Sequence, residues 1–311
     1  MSMPLVKYIP FQTEKSSAVS EANILCLGNF DGVHFAHRML MHRATELRRK
    51  KIPNARCGVF CFERPSGDFL SPNPPPHLTT LSQKLQYFAD EGMDFAFVAD
   101  FNTLRELSPE EFIKDILIGQ CACTAVVCGY NYRFGKGGVG TYQLLQEMLG
   151  TDNVIVVDPI YMREKPVSST RIRELLLQGN VKEANELLVV PFSITAPVVH
   201  GKGLGKHLGA PTFNQIPDKG TLIPCRGVYL TKSQIDGIPY WGLTNVGTHP
   251  TVDKDALLNL ETHLIDFNED LYQKEITVTF LDYIRPELRF DSTDELQKQI
   301  QKDIQAAKKR L

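Results

Sequence analysis

Five short apolar runs, at residues 24–27, 57–62, 95–98, 125–128 and 154–157, dominate the first half of this 311-residue chain. Each has the length of a strand and is apolar throughout, so each predicts a strand buried on both faces. Helical patterns fill the intervals. Ser108-Pro109-Glu110-Glu111 is one clear helix start, with an N-cap serine, a proline in the first turn and a capping-box glutamate. Strand and helix alternating in this way predict a parallel sheet covered on both faces.

The second half reads differently. Ser168-Ser169-Thr170 opens a helix with apolar positions Ile172, Leu175 and Leu176, and Gly179 ends it. Asn180 with Glu183 predicts a further capping box, starting a helix through Ala184, Leu187 and Leu188. The pattern changes at 189–191, and residues 192–281 read as all-β. Strand-like runs at 227–233, 240–246, 258–265 and 275–281 are separated by turns such as Asp236-Gly237 and Asn268-Glu269-Asp270. This spacing predicts a small antiparallel barrel. A last helix follows: Ser292 and Glu295 form a capping box, Leu296, Ile300 and Ile304 a stripe, and Lys308-Lys309-Arg310 suit its C-terminal dipole.

Composition narrows the partners. A formal charge of −2 gives no reason to expect nucleic acid or a membrane surface. No apolar run approaches a bilayer span, and residues 1–20 lack a signal-peptide core. The seven cysteines form no CxxC pair, and Cys57 and Cys61 share a face with Val59, as small core residues do. A reducing cytoplasm is the expected compartment.

Residues 27–37 carry the most chemistry. They read as a strand, a glycine-punctuated turn and a helix that opens with His34 and His37. Such a junction aims backbone N–H groups and a helix dipole at one spot, which suits phosphate. The two imidazoles also share a helix face, as metal ligands would, but no third ligand stands at a convincing spacing. Arg171 and Arg173 oppose the dipole of their helix, which an anion held near the helix start would explain. Gly129-Tyr130-Asn131-Tyr132-Arg133-Phe134-Gly135 follows a strand, where open α/β sheets bind ligands. Gly201-Lys202-Gly203-Leu204-Gly205-Lys206 is one residue short of a P-loop, and His207 replaces its Ser/Thr, which leaves a glycine loop able to close over phosphates. If residues 211–214 are extended, Thr212 and Asn214 point one way and suit Mg²⁺. Glu261 lies in a strand pattern and is either solvent-facing or a general base. The plain alternatives elsewhere are a polar turn, a capped helix and a loop packed by aromatics.

Together these segments resemble the bacterial bifunctional riboflavin kinase/FAD synthetase family. GNFDGVH with a following histidine, GYNYRFG, SSTRIR, GKGLGKHLGAPTFN, NVGTHPTV and ETHLIDFNEDLY occur in the family's order, from about Leu25 to the C-terminus. The resemblance implies a Rossmann-like HxGH-type nucleotidyltransferase domain at 1–188 that moves AMP from ATP to FMN. It implies a six-stranded riboflavin kinase barrel at 189–311, ending in a helix, that uses ATP and Mg²⁺. By matching positions, His34, His37, Asn131, Ser169, Thr170 and Arg173 carry the adenylyltransferase site, with Gly28, Asn29 and Phe30 among its nucleotide-binding residues. Thr212 and Asn214 would hold the metal, Glu261 would be the kinase base, and Gly201, Gly203 and Gly205 would cover phosphates. Three positions depart from the family. Ala36 replaces a glycine, Phe62-Glu63-Arg64-Pro65 lacks the histidine of a Pro-His-Pro segment, and Leu204 replaces a residue that is commonly basic. They leave open a second reading in which only the kinase works.

Overall fold

A computed structural model describes residues 7–10, 22–200, 211–248 and 258–309. The chain divides into two compact units, Met1–Ser169 and Thr170–Leu311.

The first unit is built on a six-stranded parallel sheet: β1 (Lys7–Pro10), β2 (Asn23–Leu27), β3 (Arg56–Phe62), β4 (Phe95–Ala99), β5 (Cys123–Gly129) and β6 (Val154–Val157), in the order β1-β4-β3-β2-β5-β6. The five apolar runs are the five strands β2 to β6. Strand β1 was not among the expected strands, because its Lys-Tyr-Ile-Pro sequence is no apolar run. Helix α1 (Phe35–Lys51) and helix α2 (Leu81–Asp90) cover one face, where Met41, Ala44 and Phe88 meet Cys26, Cys57, Val59 and Cys61. On the other face Phe112, Ile113, Ile116 and Leu117 pack with helix α3 (Tyr142–Leu149). The expected capping box at Ser108 and Glu111 forms, and the chain beyond it winds as a π-helix over Phe112–Gln120. Gly58 is required by packing, since a Cβ there would lie 2.3 Å from the Phe95 ring.

A two-stranded ribbon, β7 (Tyr161–Met162) and β8 (Lys165–Pro166), follows the sheet. Helix α4 (Ser169–Leu177) and helix α5 (Val181–Leu187) come next. Gly179 ends α4 at φ +79°, as expected. Two expectations here are corrected. Asn180 caps α5 by position, but its side chain makes no capping bond. The Glu183 carboxylate instead takes the Arg171 guanidinium at 2.8 Å, so Arg171 is a buried ion-paired residue of the helix pair rather than an anion ligand. Asn185 Nδ2 donates to Phe280 O and Asn185 Oδ1 accepts from Phe192 N, tying α5 to the strands of the second unit.

Those strands close into an antiparallel barrel: β9 (Ser193–Val199), β10 (Thr212–Gln215), β11 (Gly227–Ile235), β12 (Ile238–Thr248), β13 (Leu258–Leu264) and β14 (Glu275–Arg285), in the order β10-β13-β12-β11-β14-β9. Alternation sends Ile276, Val278, Phe280, Leu260 and Tyr229 to the buried face. Thr231, Thr244 and Thr262 satisfy one another there, in a chain of hydroxyls 2.9 Å apart. Val228, Leu230 and Leu243 point the other way and are covered by helix α6 (Thr293–Lys308) through Ile304 and Ala307. Ser292 caps α6 through Glu295 N, but the Glu295 carboxylate takes Asp291 N instead of closing the capping box.

Candidate active sites

In the first unit, β2 lies between β3 and β5, so the strand order reverses beside it and a crevice opens beyond the strand ends. The turn after β2 occupies this switch point. Phe30, Gly32 and Val33 all have positive φ, at 51°, 82° and 36°. Only the glycine adopts this cheaply, so the turn is held by its surroundings. Asp31 does much of the holding: its buried carboxylate accepts from Leu78 N at 3.0 Å, Thr79 N at 3.1 Å and Thr79 Oγ1 at 3.2 Å. The Phe30 ring is fully buried against His37 and Phe88, so only its backbone is left to meet a ligand. Asn29 is exposed and reaches Ser66 Oγ.

His34 is the N-cap of α1 and accepts from His37 N through Nδ1 at 3.4 Å. The two rings stack with centroids 3.7 Å apart. Burial holds the His37 pKa well below the ordinary imidazole range, helped by His34 and Lys84, so the ring is neutral at physiological pH. Its Nδ1 is buried and has no hydrogen-bond partner among the described residues. Among those residues no group of three His, Cys, Asp or Glu side chains is placed to hold a metal. Asn131 is exposed just past β5, the other strand of the crevice. Ser169 Oγ donates to Asp31 O at 2.8 Å. Thr170 is exposed and Arg173 half-buried on α4.

In the second unit, Thr212, Asn214 and Glu261 lie on the outward-facing side of adjacent strands, with Asn214 opposite Glu261 in the register. Thr212 Oγ1 donates to Glu261 Oε1 at 2.8 Å. Asn259 stands two residues before Glu261 and so shares its face. Its Nδ2 donates to Asn214 Oδ1 at 2.7 Å, while its own Oδ1 is buried with no partner among the described residues. The motif reading missed Asn259, although period-two spacing from Glu261 marks it. The cluster is made of hard oxygen donors, which fit Mg²⁺. A cleft of about 250 Å³ opens beside it, lined by Thr212, Asn214, Asn268, Glu269 and the stacked pair His200–Tyr272, whose centroids are 3.7 Å apart. Gly201, Gly203 and Gly205 lie outside the described residues.

Comparisons with known proteins agree with this division. A model of the FAD synthetase family matches residues 16–171 and a model of the riboflavin kinase family matches residues 188–311. Proteins named bifunctional riboflavin kinase/FMN adenylyltransferase are similar over nearly full length. That of Escherichia coli K12 is 36% identical over 93% of this chain and 92% of its own. Those of Pseudomonas fluorescens (35%, covering 92% of each chain) and Listeria monocytogenes (31%, covering 95% and 94%) are comparable. A solved structure from Streptococcus pneumoniae, described as a macrolide-efflux protein, has the same fold: TM-score 0.87 and 30% identity, covering 97% of this chain and 99% of that one. Efflux is said of that protein, and no helix among the described residues here is long and apolar enough to cross a membrane. Two domain models in tandem and relatives matched end to end place this chain in the bifunctional riboflavin kinase/FMN adenylyltransferase family.

Proposed function

We propose that this chain converts riboflavin to FAD in two ATP-dependent steps at two separate sites, acting in the cytoplasm. The observation that carries this reading is the tandem match of both family models, one on each fold. It leaves the kinase-only alternative without support. The functional boundary is assigned to 188/189, a reading supported by the match to the riboflavin kinase family over residues 188–311.

In the kinase step, a ribityl hydroxyl of riboflavin attacks the γ-phosphorus of ATP, the bond to the β-phosphate oxygen breaks, and ADP leaves with FMN formed. Glu261 is assigned to take the hydroxyl proton. Thr212 and Asn214 would hold Mg²⁺, with Asn259 supporting Asn214, and the ion would supply positive charge against the transferring phosphoryl group. The Gly201–Gly205 loop is assigned to the phosphates.

In the adenylyl step, an FMN phosphate oxygen attacks the α-phosphorus of a second ATP, the α–β bridge breaks, and pyrophosphate leaves. The nucleophile is already anionic, so no proton needs removing. The work is positioning and charge stabilisation. The neutral imidazole of His37 and the imidazole of His34 serve it as hydrogen-bonding groups. Gly28, Asn29 and Phe30 offer backbone to the phosphates, and Asn131, Ser169, Thr170 and Arg173 are assigned to the nucleotide by their places in the motifs.

Incubation of the purified chain with ATP and Mg²⁺, with riboflavin in one tube and FMN in another, tests the reading by chromatography of the flavins. FAD from both tubes is expected. FMN without FAD would overturn the adenylyl assignment, and FAD formation from riboflavin that survives a chelator would overturn the metal assignment.

A further inference from the structure

Lys84 belongs to none of the motifs. It lies on α2, is only 2% exposed, and is one helical turn from Phe88. Phe88 packs edge-on to Phe30 at 5.5 Å, and Phe30 packs against His37 at 5.1 Å. The lysine therefore shares the face of α2 that backs the histidine turn. Its Nζ donates to Phe62 O at 3.2 Å, at the carboxyl end of β3, the end where this sheet opens its crevice.

That single neutral acceptor is all the ammonium has among the described residues. A buried cation with two donors unused is costly, and an apolar side chain of similar length would fill the space without that cost. Such an arrangement is explained when negative charge arrives beside it. The adenylyl step brings two phosphate chains together at this crevice.

We propose that Lys84 is an electrostatic positioning residue for FMN adenylylation, supplying fixed positive charge behind His37 against which the phosphates of ATP and FMN are brought together. The inference rests on placing that step at the His34–His37 turn. Lys84 acts through the field in the crevice, and the bonds made and broken remain those between FMN phosphate and the ATP α-phosphorus.

Lys84→Met keeps the apolar stem, and Lys84→Gln also keeps a donor for Phe62 O. Both remove the charge. FAD formation from FMN is expected to fall about 100-fold in kcat in both variants, the scale on which one preorganised charge-stabilising group acts. The KM for FMN should change by less than about threefold, riboflavin phosphorylation should be unchanged, and circular dichroism should show folded protein. Gln retaining FAD formation would overturn the proposal by showing a hydrogen-bonded prop, and so would a loss confined to KM. Failure of both variants to fold would overturn it as well, since the lysine would then be a structural requirement. His37→Ala is run alongside: undiminished FAD formation in that variant would sink the placement of the step, independently of Lys84.

Discussion

Thr212 and Glu261 meet across β10 and β13, the threonine hydroxyl donating to the carboxylate at 2.8 Å. This bond joins an assigned metal ligand to one oxygen of the assigned base. Glu261→Gln keeps the shape and removes the basicity. FMN formation from riboflavin should fall at least about 100-fold, within the range a general base contributes. Conversion of supplied FMN to FAD should stay at the wild-type rate. Separate assays of the two steps check both halves of the expectation.

His37 makes the stability of the first unit depend on pH. Burial is the main cause of its lowered pKa, and His34 and Lys84 lower it further. As the pH falls below about 6.5, the unfolded chain takes up a proton at this position that the folded chain refuses. The stabilisation is fully present above that pH and is lost as the pH drops toward the folded pKa. The slope for one proton is at most about 1.4 kcal/mol per pH unit. Denaturant unfolding of wild type and His37→Gln at several pH values between about 5 and 7.5 measures it. The variant should show the flatter profile, and equal slopes would contradict the assignment.

Strands β2 to β6 of the first unit are legible because each carries an apolar run, which β1 lacks, and the helix cap at Ser108 because its bonds are local. What lies beyond local pattern is not legible. Arg171 reads as a stray cation until Glu183, on the next helix, is placed 2.8 Å from it. Lys84 looks like any lysine of an amphipathic helix, and only tertiary packing shows that it is buried. Asp31 sits inside a motif whose histidines draw attention first, while its partners Leu78 and Thr79 are far along the chain. Thr212 and Asn214 are readable as candidates because period two puts them on one face, and Glu261 because a glutamate in a strand pattern either faces solvent or serves as a base. Their meeting across two strands depends on a barrel register that no short motif states.

Asp31 gives a prediction about the histidine turn itself. Its carboxylate serves Leu78 N, Thr79 N and Thr79 Oγ1, and it holds a turn containing two non-glycine residues at positive φ. Asp31→Ala leaves those donors unpaired in a buried place, at a cost of about 2–4 kcal/mol. The first unit should unfold at lower denaturant, and FAD formation should fall with it. Riboflavin phosphorylation should persist, since every group assigned to it lies in the other unit.

The opposite selectivity is expected at Arg285 and Asp303. Arg285 Nη2 lies 2.7 Å from Asp303 Oδ2, and Nε reaches both carboxylate oxygens at 3.1 Å. Gln299 adds a further donor at 2.8 Å. Asp303 is buried and Arg285 half-buried, and the pair ties α6 to β14, where Ile304 and Ala307 cover Val228, Leu230 and Leu243. Removing Asp303 strands the half-buried Arg285 guanidinium, so Asp303→Ala should destabilise the barrel by about 1–3 kcal/mol. Replacing both residues by apolar ones should cost much less, because no orphan charge remains. Heating each variant and assaying the two steps separately distinguishes these effects. Riboflavin phosphorylation should be lost at lower temperature in Asp303→Ala, and less so in the double variant. FMN adenylylation should be affected less in both, since of the groups assigned to it only Thr170 and Arg173 lie in the second unit.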